Sequence, residues 1–123
     1  MKFYFSNREK SAIIRVAVMM EAADGKADLN EMAVNLKVFQ LLDVDESIAE
    51  AAKSLSFIDS MSILKSMTTE EKKFVCGILA TIMVADKDID DKEMTLWQTI
   101  STICEFPTMH IKEALENFLN NVE

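Results

Sequence analysis

The chain has 123 residues, a formal charge of −8 and an isoelectric point near 4.6, with half of its residues hydrophobic, two glycines and one proline. That is enough apolar material for one domain with its own core, and so little glycine and proline predicts an all-α fold of helices joined by short polar loops. The acidic balance excludes a nucleic-acid face, which needs clustered lysine and arginine, and disfavours anionic membrane surfaces.

Ser6 and Glu9 make an S-x-x-E capping box that opens a first helix, predicted over 7–23 with Ile13, Ile14, Val16, Ala17, Met19 and Met20 as its apolar face. Asp24-Gly25 ends it, the glycine being able to take the left-handed conformation. Asp28 and Glu31 box the second helix, which runs to about Leu42 with Met32, Leu36 and Phe39 at helical spacing. After the turn Asp43-Val44-Asp45, a third helix is predicted over 47–55 and a fourth over 56–67. Thr68 and Glu71 box a fifth, to about Ala85; from Phe74 onward it is apolar on nearly every side, as a buried central helix must be. Asp90 and Glu93 box a sixth, to about Glu105. Pro107 blocks its continuation, and a last helix is predicted over 108–122 with Met109, Ile111, Leu115, Phe118 and Leu119 apolar.

Laid on itself at an offset of 62 residues, the chain repeats: Ser6 falls on Thr68, Glu9 on Glu71, Ala23 on Ala85, Asp24 on Asp86, Asp28 on Asp90, Glu31 on Glu93 and Met32 on Met94. Two capping boxes and a helix end in one register predict a duplicated helix-loop-helix unit. Residues 1–123 then form a single compact bundle of about seven helices: repeat 1 over about 6–55, a linker helix over about 56–67 and repeat 2 over about 68–121. The last helix is expected to match the third after about a one-residue shift. Stacking two copies lets each cover an apolar face that the other cannot bury alone.

The two acidic elbows between helices are the candidate site. Residues 24–31 and 86–93 carry −2 and −3 of the total −8. Asp28, Glu31, Asp90 and Glu93 are explained as helix N-terminal caps, which bind orphan amides and meet the positive end of the helix dipole. Asp24 and Asp86 instead follow helix C-termini, where a negative charge needs an offset, either an Asx turn onto loop amides or a cation. An EF-hand is excluded: Asp86, Asp88 and Asp90 suit positions 1, 3 and 5, but Asp91 stands where glycine is required and Trp97 where a bidentate glutamate is required. Neither elbow holds a histidine or cysteine, so any cation set of Asp24, Asp28, Glu31, Asp86, Asp90 and Glu93 would favour Ca2+ or Mg2+ over zinc. Capping alone and cation binding both stay open.

Ala23-Asp24-Gly25 with Glu31 and Ala85-Asp86 with Glu93, in an all-helical chain of this size, resemble the TerB-like family, tellurite-resistance protein B and related helical domains. The resemblance runs from about residue 6 to 120. It implies a bundle of about seven helices, a non-enzymatic role in bacterial stress response, and acidic elbow residues clustered as a candidate metal site.

No sequence motif supports an enzyme. His110 is the one histidine, and there is no E-x-x-H pair, glycine-rich phosphate loop or local Ser-His or Cys-His set. A protein partner is expected instead. Nine methionines supply either flexible core filling or an adaptable docking surface, and Trp97, placed on the polar side of the sixth helix by register with Asn35, is the candidate interface residue. No signal segment is read at the N-terminus, where Lys2 precedes only Phe3-Tyr4-Phe5. The apolar run 74–85 is short of the about 20 residues that span a bilayer, so the expected location is cytoplasmic. Cys76 and Cys104, with no C-x-x-C, are expected to be buried reduced thiols.

Overall fold

The computed structural model describes residues 3–23, 25, 29–85 and 89–122, with the backbone alone described over 29–32. The chain is all-α: α1 (Asn7–Ala22), α2 (Leu29–Leu41), α3 (Glu46–Ser54), α4 (Phe57–Lys65), α5 (Thr69–Met83), α6 (Asp91–Ile103) and α7 (Ile111–Val122). Among the described residues no helix is long and apolar enough to cross a membrane.

Side-chain oxygens start five of these helices. Ser6, Asp45, Ser56, Thr68 and Asp90 are N-caps, and those of α1, α5 and α6 are reciprocal capping boxes closed by Glu9, Glu71 and Glu93. The cap of α2, expected at Asp28, lies outside the described residues. Gly25, just past the end of α1, takes the left-handed conformation, at φ 75°.

At the core, α5 is buried without a break from Phe74 to Ala80. One side of α5 is covered by α1 and α2 and another by α7, while α1 also carries α3 and α4. The N-terminal segment lies extended across this core. Its side chains alternate, so Phe5 is buried while Tyr4 is 91% exposed. Phe3, Phe5 and Phe118 gather around Phe74 with ring centroids 5.2, 6.0 and 5.3 Å away. Met20, Met61, Met67 and Met83 fill the interior rather than a surface groove.

Helices related by the offset of 62 make related contacts. α1 packs on α3 as α5 packs on α7, and α1 and α5 pack on each other. The ends of α2 and α6 match bond for bond. Among the described residues, Asp43 and Glu105 are the two non-glycine residues of positive φ, 55° and 56°. Val44 N donates to Phe39 O and Asp43 N to Gln40 O at 2.9 and 3.1 Å; Phe106 N donates to Ser101 O and Glu105 N to Thr102 O at 2.9 and 3.3 Å. Each is a Schellman motif, which satisfies the last carbonyls of its helix.

Three expectations are corrected. Leu36 and Leu119, read as core, are exposed at 63% and 58%, because α2 turns Asn35, Val38 and Leu42 inward and α7 turns Ala114 and Phe118 inward. The last helix begins at Ile111 rather than Thr108, since burial of Phe106 followed by Pro107 keeps the chain extended through 106–110. The match between α3 and α7 is therefore shifted by about three residues instead of one: the first helical carbonyl is that of Asp45 in α3 and that of His110 in α7.

Two predictions follow from these contacts. A Cβ on Gly77 would meet Phe118 Cβ at 2.5 Å and Ala114 O at 2.7 Å, atoms close to or on the backbone that cannot swing away. Overpacking costs about 1–3 kcal/mol and alanine regains about 1 kcal/mol of helix propensity, so Gly77→Ala should lower stability by up to about 2 kcal/mol in urea denaturation. At the start of α3, Ser47 Oγ and Ile48 N both donate to Asp45 Oδ1, at 2.7 and 2.9 Å. Chiefly through the Ser47 hydroxyl, these bonds hold the Asp45 carboxyl below its usual range. The cap's contribution is then present above the unfolded-state value and is lost as pH falls through the lowered folded-state one. Carboxyl NMR titration should find Asp45 among the most acidic aspartates, and Ser47→Ala should move it up.

Candidate functional site

The second elbow leads into α6 through Asp90. Its Oδ1 accepts from Lys92 N at 2.7 Å, and Asp90 N donates to Glu93 Oε1 at 3.2 Å. Glu93 differs from the box-closing glutamates of the other helices: Glu9 and Glu71 are partly exposed, while Glu93 is completely buried. A carboxylate out of contact with water stays charged only where hydrogen bonds or positive charge compensate for its lost hydration. Here one oxygen meets backbone N–H at the positive end of α6.

The end of α1 approaches the same place. Met19, Ala22 and Ala23 at the end of α1 and Lys92, Thr95, Leu96 and Thr99 on α6 line one open groove of about 430 Å³. The residue that precedes Asp24 and the first turn after Asp90 therefore share a wall.

Of the sequence-derived site residues, Asp90 and Glu93 are thus joined in one capping box. Asp24, Asp28 and Asp86 lie outside the described residues, as does the side chain of Glu31, whose backbone belongs to α2. Among the described residues no three of His, Cys, Asp and Glu converge as a metal-ligand set.

Trp97 is not on a polar face. It is 8% exposed, and its register partner Asn35 is 4% exposed. Glu93, Trp97, Ile100 and Cys104 form a single inward stripe of α6 at alternating spacings of four and three. Asn35 had suggested polarity outside; instead its Nδ2 donates to Glu21 Oε2 across the α1–α2 contact. A buried amide pair of this kind leaves no periodic trace in the sequence. Trp97 still lines an open groove of about 380 Å³ with Glu105, Phe106, Pro107 and Met109.

The remaining chemically active groups are held inert or apart. Cys76 and Cys104 are buried free thiols, as expected, and burial pushes them up to about 12 and about 11. Cys104 Sγ sits 3.4 Å from Met61 Sδ. His110 is exposed, and its backbone N–H donates to Glu113 Oε1 at 3.2 Å.

Among the described residues these features define an all-α domain of seven helices. Neither a protein-family model nor a curated protein matches the chain. Among solved structures, a protein of unknown function from Porphyromonas gingivalis W83 is similar to it, with 36% sequence identity, a TM-score of 0.84, and coverage of 98% of this chain and 94% of that one. The chain belongs to one family with that protein.

Burial makes Trp97 structural first. Trp97→Ala should cost about 3–5 kcal/mol in chemical denaturation. Because it is the single tryptophan, the native emission maximum should lie well to the blue of the unfolded chain and resist iodide quenching.

Proposed function

We propose that this chain is a non-enzymatic binding domain of the TerB-like kind, a scaffold or sensor in stress response whose working end is the pair of elbows. The observation that carries this reading is the groove shared by Ala23 and Lys92, which sets the exit of α1 beside the entrance of α6. We read the acids that adjoin these two helix ends in the sequence as the groups that work there. The exposed histidine and the burial-raised thiols also favour binding over catalysis, since neither thiol supplies a thiolate near neutral pH. Reduced cysteines suit the cytoplasm, where thiols are kept reduced.

Two uses of the elbow acids are compatible with a binding role. In the first they are caps alone and the domain is a protein-interaction adaptor, with the groove at Trp97 as a docking candidate; the box at Asp90 and Glu93 favours this for the second elbow. In the second, Asp24, Asp28, Glu31, Asp86, Asp90 and Glu93 hold Ca2+ or Mg2+, and the oxygen-only chemistry of these residues favours such hard cations.

Calorimetric titration of chelator-treated protein separates the two. Cation binding predicts saturable heat with Ca2+ or Mg2+ and a rise in melting temperature, both lost in the double variant Asp24→Asn, Asp86→Asn. Silence at millimolar metal, with an unchanged melting curve, leaves the acids as caps and retires the cation.

A further inference from the structure

A pocket of about 230 Å³ opens between α1, α2 and α3, away from the elbows. Its walls are Ile14, Val18, Phe39, Ala49 and Ala52, with Arg15 and Lys53 as its two charged residues. Arg15 is set apart from the other cations. Its Nε is buried with no hydrogen-bond partner, and among the described residues its guanidinium makes no ion pair. Lys53 is already engaged, 3.1 Å from Glu50 in an exposed pair. The pocket therefore combines an apolar body with one uncommitted cation in a strongly acidic protein.

Comparison of the two halves shows what creates the space. Gly77 occupies the place of Arg15, 62 residues on, and there α7 seats Ala114 and Phe118 directly against the helix backbone. Ala80 likewise stands in the place of Val18. In the first half the larger Arg15 and Val18 stand at that contact and line the opening with Ala49 and Ala52 of α3. A duplicated contact closed in one copy and open in the other is a feature of these residues rather than of the fold.

The geometry points to this pocket as a binding site for a small monocarboxylate with an apolar body, its chain among Ile14, Phe39 and Ala52 and its carboxylate on Arg15. Guanidinium and carboxylate match in a planar two-bond pairing, here through the terminal nitrogens of Arg15. The size selects the ligand. The volume is on the order of eight water molecules and exceeds the about 150 Å³ that accommodates benzene, which suits an acid of about six carbons including its carboxylate. It falls below the about 300 Å³ at which sites for drug-sized ligands begin.

The test uses the full chain with 13C-labelled alanine methyls, titrated with hexanoate and with 1-hexanol. Saturable shifts of the Ala49 and Ala52 methyls are expected, with hexanoate at least tenfold tighter than the alcohol. Arg15→Met should weaken hexanoate at least tenfold and leave 1-hexanol within twofold. Ala52→Leu, which fills the pocket with an apolar side chain, should remove both. The proposal is overturned if hexanoate produces no saturable shift at these methyls, if acid and alcohol bind alike, or if Arg15→Met binds hexanoate as the parent does.

Discussion

The whole molecule hangs on the burial of α5. From Phe74 to Ala80 no side of that helix reaches water, so every other element must provide cover for it or for the helices beside it. A fully buried side chain of the size of Phe74 or Leu79 is worth about 1.5–3 kcal/mol relative to its exposed state. Seven consecutive buried positions thus make α5 the largest single term in the packing, although chain entropy opposes much of that sum. Gly77 belongs to the same constraint: with no side chain there, Ala114 and Phe118 of α7 come close against the α5 backbone, and Phe118 joins Phe74 in the aromatic cluster.

Twofold repetition is written most clearly in the backbone rather than in the packed side chains. Capping boxes at Ser6 and Thr68 and Schellman motifs at Asp43 and Glu105 stand at one offset. Between them the residues have diverged: Ala12 has its counterpart in Phe74, Arg15 in Gly77, Asn35 in Trp97 and Leu42 in Cys104. Helix ends depend on a few hydrogen bonds of defined geometry, whereas a core tolerates exchange as long as total volume is conserved. The differences between the halves are consequently where individual function can reside. Arg15 lines a pocket where Gly77 lies against α7, and Trp97 lines a groove while Asn35 bonds Glu21.

At the elbow end the same carboxylates serve the fold whatever else they bind. Asp90 and Glu93 satisfy the first amides of α6, which places negative charge at the positive pole of that helix. Any cation there would act on groups already positioned by capping, so that folding would supply the preorganisation and the ligand would add to it.

How much of this was legible beforehand divides along a physical line. Capping boxes, glycine at the end of α1, the break at Pro107 and the apolar run of α5 are local signals, because each depends on hydrogen bonds or side chains within about one or two turns. They are enough to set seven helices and their order, and they carried the α5 core correctly. By itself, the sequence also determined the acidic character of the elbows and the repeat register. Which way a mixed helix faces is not local. Leu36 and Leu119 point outward and Trp97 inward because the neighbours of α2, α6 and α7 come from distant parts of the chain, and only their assembly decides which stripe is covered. The pocket beside Arg15 depends on the distance between α1 and α3, a quantity with no counterpart in any one segment; only tertiary packing could set it.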